Sequence, residues 1–108
     1  MLTEIVTLTG SIKATGAIVN KRFVTRGGAQ AGNGVTIAGV AGDDAAIGEM
    51  VPVKGRGWIV FEAGAAVAVD ADLQSDANGR AITNAGGVSV GRALDAATAA
   101  GQFIRVDR

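Results

Sequence analysis

The residues that could do chemistry cluster in the second half of the chain. Asp70, Asp72, Asp76, Asn78 and Gly79 bring acidic and amide oxygens together with a glycine, the raw material of a calcium loop. A hand-type calcium loop takes oxygens at positions 1, 3 and 5, glycine at 6 and glutamate at 12. Counted from Asp70, the last three of those positions hold Gln74, Ser75 and Ala81. The cluster therefore reads as acidic residues solvating a strand end and a hairpin turn. Gly32-Asn33-Gly34 and Gly55-Arg56-Gly57 could cradle phosphate, but neither completes a dinucleotide or P-loop fingerprint. Arg26-Gly27-Gly28 is one copy of an RNA-binding element that works in repeats. Ser11, Ser75 and Ser89 have no histidine to activate them, and no Ser-x-x-Lys is present.

What the 108 residues lack excludes more. Without His or Cys there is no usual general base, thiolate or zinc set, and Tyr is absent too. A small enzyme is the weakest function class. Ten basic and ten acidic residues give zero net charge, which excludes a binder held to nucleic acid by phosphate neutralisation. The signs are segregated: residues 1–30 carry +3, residues 31–79 carry −5 and the remainder +2. That pattern suits self-association or docking on a patterned protein surface. The N-terminus shows no targeting segment and no apolar run long enough to cross a membrane, so a soluble protein is expected.

Seventeen glycines and only four aromatic residues (Phe23, Trp58, Phe61, Phe103) describe the scaffold. Apolar residues recur mostly with period two, at Leu2–Leu8, Ala17–Val19, Arg22–Thr25, Val35–Ile37, Met50–Val53, Trp58–Phe61, Val67–Val69, Arg80–Thr83, Val88–Val90 and Phe103–Val106. Asp76-Ala77-Asn78-Gly79 is a hairpin turn signal. Ala93–Ala100 lacks bulky apolar residues at helical spacing and reads as a turn or loop. The expected fold is all-β: a small β-sandwich or barrel with long Gly-rich loops and an extended N-terminal segment. Trp58 and Phe61 flank an apolar pair and are expected in its core.

An internal repeat runs through the chain. At an offset of 53, Val35-Thr36-Ile37 falls on Val88-Ser89-Val90, and Ala46–Val53 falls on Ala99–Val106 without a gap. Asp43-Asp44 and Asp95 lie in corresponding stretches. The sequence thus divides into residues 1–34, an N-terminal arm with a basic strand region, and residues 35–108, a β domain repeated over 35–53 and 88–106.

In that domain, Ala63–Val67, Asp76–Ala81 and Val90–Val106 resemble the capsid cement, or decoration, proteins of tailed bacteriophages. The signature is the Gly91–Val106 ending, Gly-x-Ala-Leu-x-Ala-Ala-x-Ala-Ala-Gly-x-x-x-x-Val, together with the Asp76–Gly79 hairpin. The resemblance covers about residues 35–108; residues 1–34 are longer and more basic than the pattern. It implies a virion structural protein, made in the host cytoplasm, that binds the outer capsid surface and stabilises contacts between capsomers. It also implies the major capsid protein and copies of itself, as a trimer, for partners, with no cofactor, metal, nucleic acid or membrane. The alternative is another virion or cell-surface β module, such as a tail or adhesin-like domain, for which only Trp58 could stack on a sugar.

The N-terminal segment is where partner binding is expected. Leu2, Ile5, Val6 and Leu8 are apolar in a β-prone stretch outside the repeat, and Lys13, Lys21, Arg22 and Arg26 follow. Such a segment can add a strand to a neighbour's sheet edge, with the basic residues favouring an acidic surface.

Overall fold

Period-two patterning becomes strand over most of the chain, but Ala17–Val19, Val35–Ile37, Val67–Val69 and Val88–Val90 lie outside the eight strands, with only isolated bridges at Ile18 and Val67. The structure, a computed structural model, describes residues 2–108. Eight strands follow in order: β1 (Ile5–Lys13), β2 (Phe23–Val24), β3 (Gly39–Ala41), β4 (Met50–Glu62), β5 (Asp72–Ser75), β6 (Ala81–Thr83), β7 (Gly91–Ala93) and β8 (Phe103–Asp107). No helix forms among the described residues, and Ala93–Ala100 is the end of β7 and a loop. All pairs are antiparallel, in the order β2-β3-β4-β8-β7-β5-β6, with β1 on β4. The sheet curls until its ends meet. Phe23 N–H donates to the carbonyl of Gly79 at the β5–β6 turn (2.8 Å), so a nearly closed barrel results. Closure covers strand edges that would otherwise template aggregation.

The long strand β4 organises the molecule. Its first half pairs with β1 and β3, and its second half with β8. Around it the same backbone hydrogen bonds occur twice. Ile18 and Ala45 exchange a pair of bonds (2.8 and 3.0 Å), as Val67 and Ala97 do (3.0 Å each). Gly48 N–H donates to Ala14 O and Gly101 N–H to Ala63 O, at 2.7 and 2.8 Å. Lys21 and Asp70, the only non-glycine residues with positive φ among those described, make corresponding bonds to Ala41 and Ala93. Even the side-chain caps match: Glu49 Oε1 accepts from Ala46 N–H as Gln102 Oε1 accepts from Thr98 N–H.

Packing follows this duplication. Ala14, Ile18, Val24, Ala41, Ala45, Val51 and Val53 form one buried cluster. Their hydrogen-bond counterparts, Ala63, Val67, Leu73, Ala93, Ala97, Ile104 and Val106, belong to the larger cluster around Phe23, Ile59 and Phe61. Residues 14–34, grouped by sequence with the N-terminal arm, thus contribute Ala14, Ile18, Phe23, Val24 and Ala31 to the core. Phe61 is fully buried as expected, whereas Trp58 keeps 38% of its surface exposed. Alternation decides this difference: Ile59 and Phe61 point inward, so Trp58 must face out.

Candidate interaction surface

The acidic cluster serves the fold. Asp76 Oδ1 accepts the backbone N–H groups of Asn78 (2.8 Å) and Arg80 (2.9 Å), an arrangement that closes the β5–β6 turn. Asp70 supplies a left-handed turn, with φ of 68°. Asp72 accepts from the Ser89 hydroxyl and from Asn84 Nδ2, tying β5 to the loop before β7. On the outer face of β4, Arg105 grips Asp95 with two bonds of 2.8 and 2.9 Å and lies 5.6 Å above the Trp58 ring. The exposed aromatic is thereby covered by an anchored guanidinium.

These pairs set the response to acid. Hydrogen bonds from the Arg105 side chain hold the Asp95 carboxyl below its usual range, against the opposing effect of desolvation. The Ser89 hydroxyl is the main cause that lowers Asp72 in the same direction, with desolvation opposing and Asn84 assisting. Folded values below unfolded ones mean stability that is complete above about pH 4–5 and lost as pH falls through the lowered values. Tm is therefore expected to fall below about pH 4, and Asp95→Asn should flatten that fall. An unchanged acid profile in Asp95→Asn would assign the sensitivity to other carboxylates.

The residues expected to bind a partner do not form one patch. Leu2, Ile5 and Leu8 are exposed, while Val6 is partly buried against the main core. Lys13 ends β1 in solvent. Lys21 reaches over the Phe103 ring (5.7 Å), and Arg22 pairs with Glu62 (3.4 Å), so both cations already have intramolecular contacts. Arg26 is exposed and lies near enough to Arg108 to repel its charge. What β1 does present is an open edge: eight of its nine residues pair with β4 alone, with register shifts around Leu8, and its opposite edge has no strand partner among the described residues. Glu4 fixes its start by accepting from Lys54 Nζ (2.7 Å) and Val60 N–H (2.8 Å).

Two features escaped sequence reasoning. Beneath β1 runs an apolar groove of about 200 Å³ lined by Leu8, Gly10, Ile12, Ala38, Val53 and Gly55. At its Gly55 end, Arg108 donates to the carbonyls of Gly55 (2.9 Å) and Val90 (3.1 Å). Burial pushes the Arg108 guanidinium pKa down, and repulsion from Arg56 and Arg26 adds to that shift. None of these three arginines has an ion-pair partner among the described residues. Gly10, a glycine inside a branched β stretch, was the one visible signal of the groove.

A scaffold of duplicated β units, with its polar side chains engaged in turns and an open strand edge, suits a structural role. A family model described as phage cement protein matches residues 3–108. The chain belongs to the phage cement protein family. The match reaches well beyond the resemblance at residues 35–108 and takes in the N-terminal region. This cement protein is a capsid-associated structural protein of a bacteriophage. Its fold is similar to the N base of head fibre gp8.5 of bacteriophage phi29. The TM-score is 0.75 at 18% identity, over 92% of this chain and 91% of that one. No curated protein matches the cement protein.

Proposed function

We propose that the protein binds the outer surface of a tailed-phage capsid, contacts the major capsid protein and stabilises the junctions between capsomers as a cyclic trimer. The observation that carries this reading is the family match over residues 3–108. Chain physics supports it. A small domain with four aromatics has limited burial of its own, and assembly adds to its stability by mass action. The open edge of β1 supplies main-chain donors and acceptors for a capsid strand. Ile5 and Leu8 are exposed along it, with Leu2 just before it and Lys13 at its end as the cation that favours an acidic capsid surface. Three such edges act together, so a modest single contact holds the whole cap.

Two measurements test it. Purified protein is expected to sediment as a trimer at micromolar concentration and to co-sediment saturably with undecorated capsids, raising the temperature at which they release DNA. Deleting residues 1–8 should abolish co-sedimentation while leaving a folded barrel. Capsids that ignore the wild-type protein would overturn the cement reading, and undiminished binding by the truncated protein would remove β1 from it.

A further inference from the structure

The duplication supplies an internal comparison, because the two units share a backbone and differ in what they leave open. Gly10 pairs with Val53 in the first unit as Ile59 pairs with Val106 in the second. Ile12 and Val51 likewise correspond to Phe61 and Ile104. Ile59 and Phe61 are fully buried, and they fill the barrel. Gly10 stands where the isoleucine would be, and a Cβ built there meets nothing within 4 Å. The groove is thus a core position left without its side chain.

A second difference lies in the loop before β4. In the second unit, residues 95–102 carry Asp95, bound to Arg105, then alanines at 99 and 100, then Gln102. In the first, Asp43, Asp44 and Glu49 have no ion-pair partner among the described residues, and Ile47 is 73% exposed. This loop is held in shape from inside. Asp44 Oδ1 accepts Asn20 N–H (2.7 Å) and Glu49 Oε1 accepts Ala46 N–H (2.6 Å), so it projects Ile47 on a firm turn. The exposed isoleucine has only Ala100 in its place in the second unit, and the cap that Glu49 makes with a charge is made there by the uncharged Gln102.

We propose that the acidic loop Asp43–Glu49 of one copy docks in the groove beneath β1 of the next. Ile47 enters the space over Gly10, and the loop carboxylates face Arg26, Arg56 and Arg108. The occupant is a second copy because this chain carries both halves of the match. An apolar vacancy with Arg108 bonded at its Gly55 end, and with Arg56 and Arg26 near enough to act on Arg108, meets an exposed apolar side chain flanked by acids without ion-pair partners. The two surfaces differ, so the contact is head-to-tail rather than two-fold, and the cyclic trimer of the proposed function is the ring it forms when the rotation between copies closes. It rests on the self-association part of the proposed function and says which surfaces perform it.

Sedimentation of the full chain at micromolar concentration tests this, with capsid co-sedimentation run in parallel. Ile47→Glu, on an exposed side chain, should weaken association by about 30-fold or more, the effect of losing a central interface anchor. Gly10→Ile fills the groove from within the chain and should give a folded protein that no longer associates. Arg56→Glu and Asp43→Arg should each weaken association, and the two together in one chain should restore it. Unchanged association in Gly10→Ile and Ile47→Glu, with the wild type oligomeric, overturns the interface while leaving the trimer reading intact. A monomeric wild type overturns both. A monomer that still binds capsids, and loses them in Gly10→Ile, would make a capsid segment the occupant.

Discussion

Phe61→Ala is expected to cost about 3–5 kcal/mol of folding stability, the usual toll for deleting a buried aromatic side chain. Phe61 is completely buried and stacks on Phe23 with ring centroids 5.6 Å apart and planes 24° from parallel. The pair does more than fill space. Phe61 sits in β4 opposite Ile104 of β8, and Phe23 sits in β2, whose N–H closes the barrel onto Gly79. Truncating one ring therefore loosens the contact between the two ends of the sheet as well as opening a cavity. At this chain length, the loss corresponds to a fall in Tm of roughly 15 °C or more. Chemical denaturation with an unchanged midpoint would show that the stacked pair does not anchor the sheet.

Gly57→Val is expected to detach the start of β1 and to cost on the order of 3 kcal/mol. Gly57 has φ of 118°, a region that side chains with a branched Cβ avoid. A Cβ there would also collide with the carbonyl oxygen of Ile5, so strain and clash act together. The position is fixed from the other side as well. Gly57 N–H donates to Arg108 O (2.9 Å) and Arg108 N–H returns a bond to Gly57 O (3.1 Å). With the C-terminal residue holding β4 in place, relief comes only by moving Ile5 and Val6 away. Amide exchange over residues 5–9 should accelerate to that of an opened segment, while the β4–β8 ladder stays protected. Gly10→Ala, at a position with open space, serves as the tolerant control. Equal protection of β1 in both variants would contradict the steric account.

The same glycines show where reading the sequence stops. Gly57 was legible as a residue that permits an unusual turn, but its reason is a carbonyl fifty-two positions away in the chain. As a sequence, Gly10 says no more than that a strand is weakened at that point. That it leaves a groove depends on what lies across the sheet, at Val53 and Ala38. Arg26, Arg56 and Arg108 are scattered along the chain, and only the pairing of β4 with the C-terminus gathers them. The charge asymmetry was plain from composition; the surfaces that express it were not.

By itself the sequence determined the all-β class, the Asp76–Gly79 hairpin and the burial of Phe61, because alternation and turn chemistry act between near neighbours. It also carried the family signature in its C-terminal half. It determined less about the duplication. A single offset of 53 aligns Glu49 with Gln102 and Val53 with Val106. The bond pairs Ile18–Ala45 and Val67–Ala97 make Ile18 the counterpart of Val67 at an offset of 49, and Ala45 that of Ala97 at 52. Loops of unequal length separate the paired segments, and backbone bonds tolerate such insertions where an ungapped alignment does not. Trp58 was placed inward by its hydrophobicity and outward by the pleat it shares with Ile59. Which face of a strand meets the core is decided by its register with β1 and β8, and register is a property of the assembled sheet.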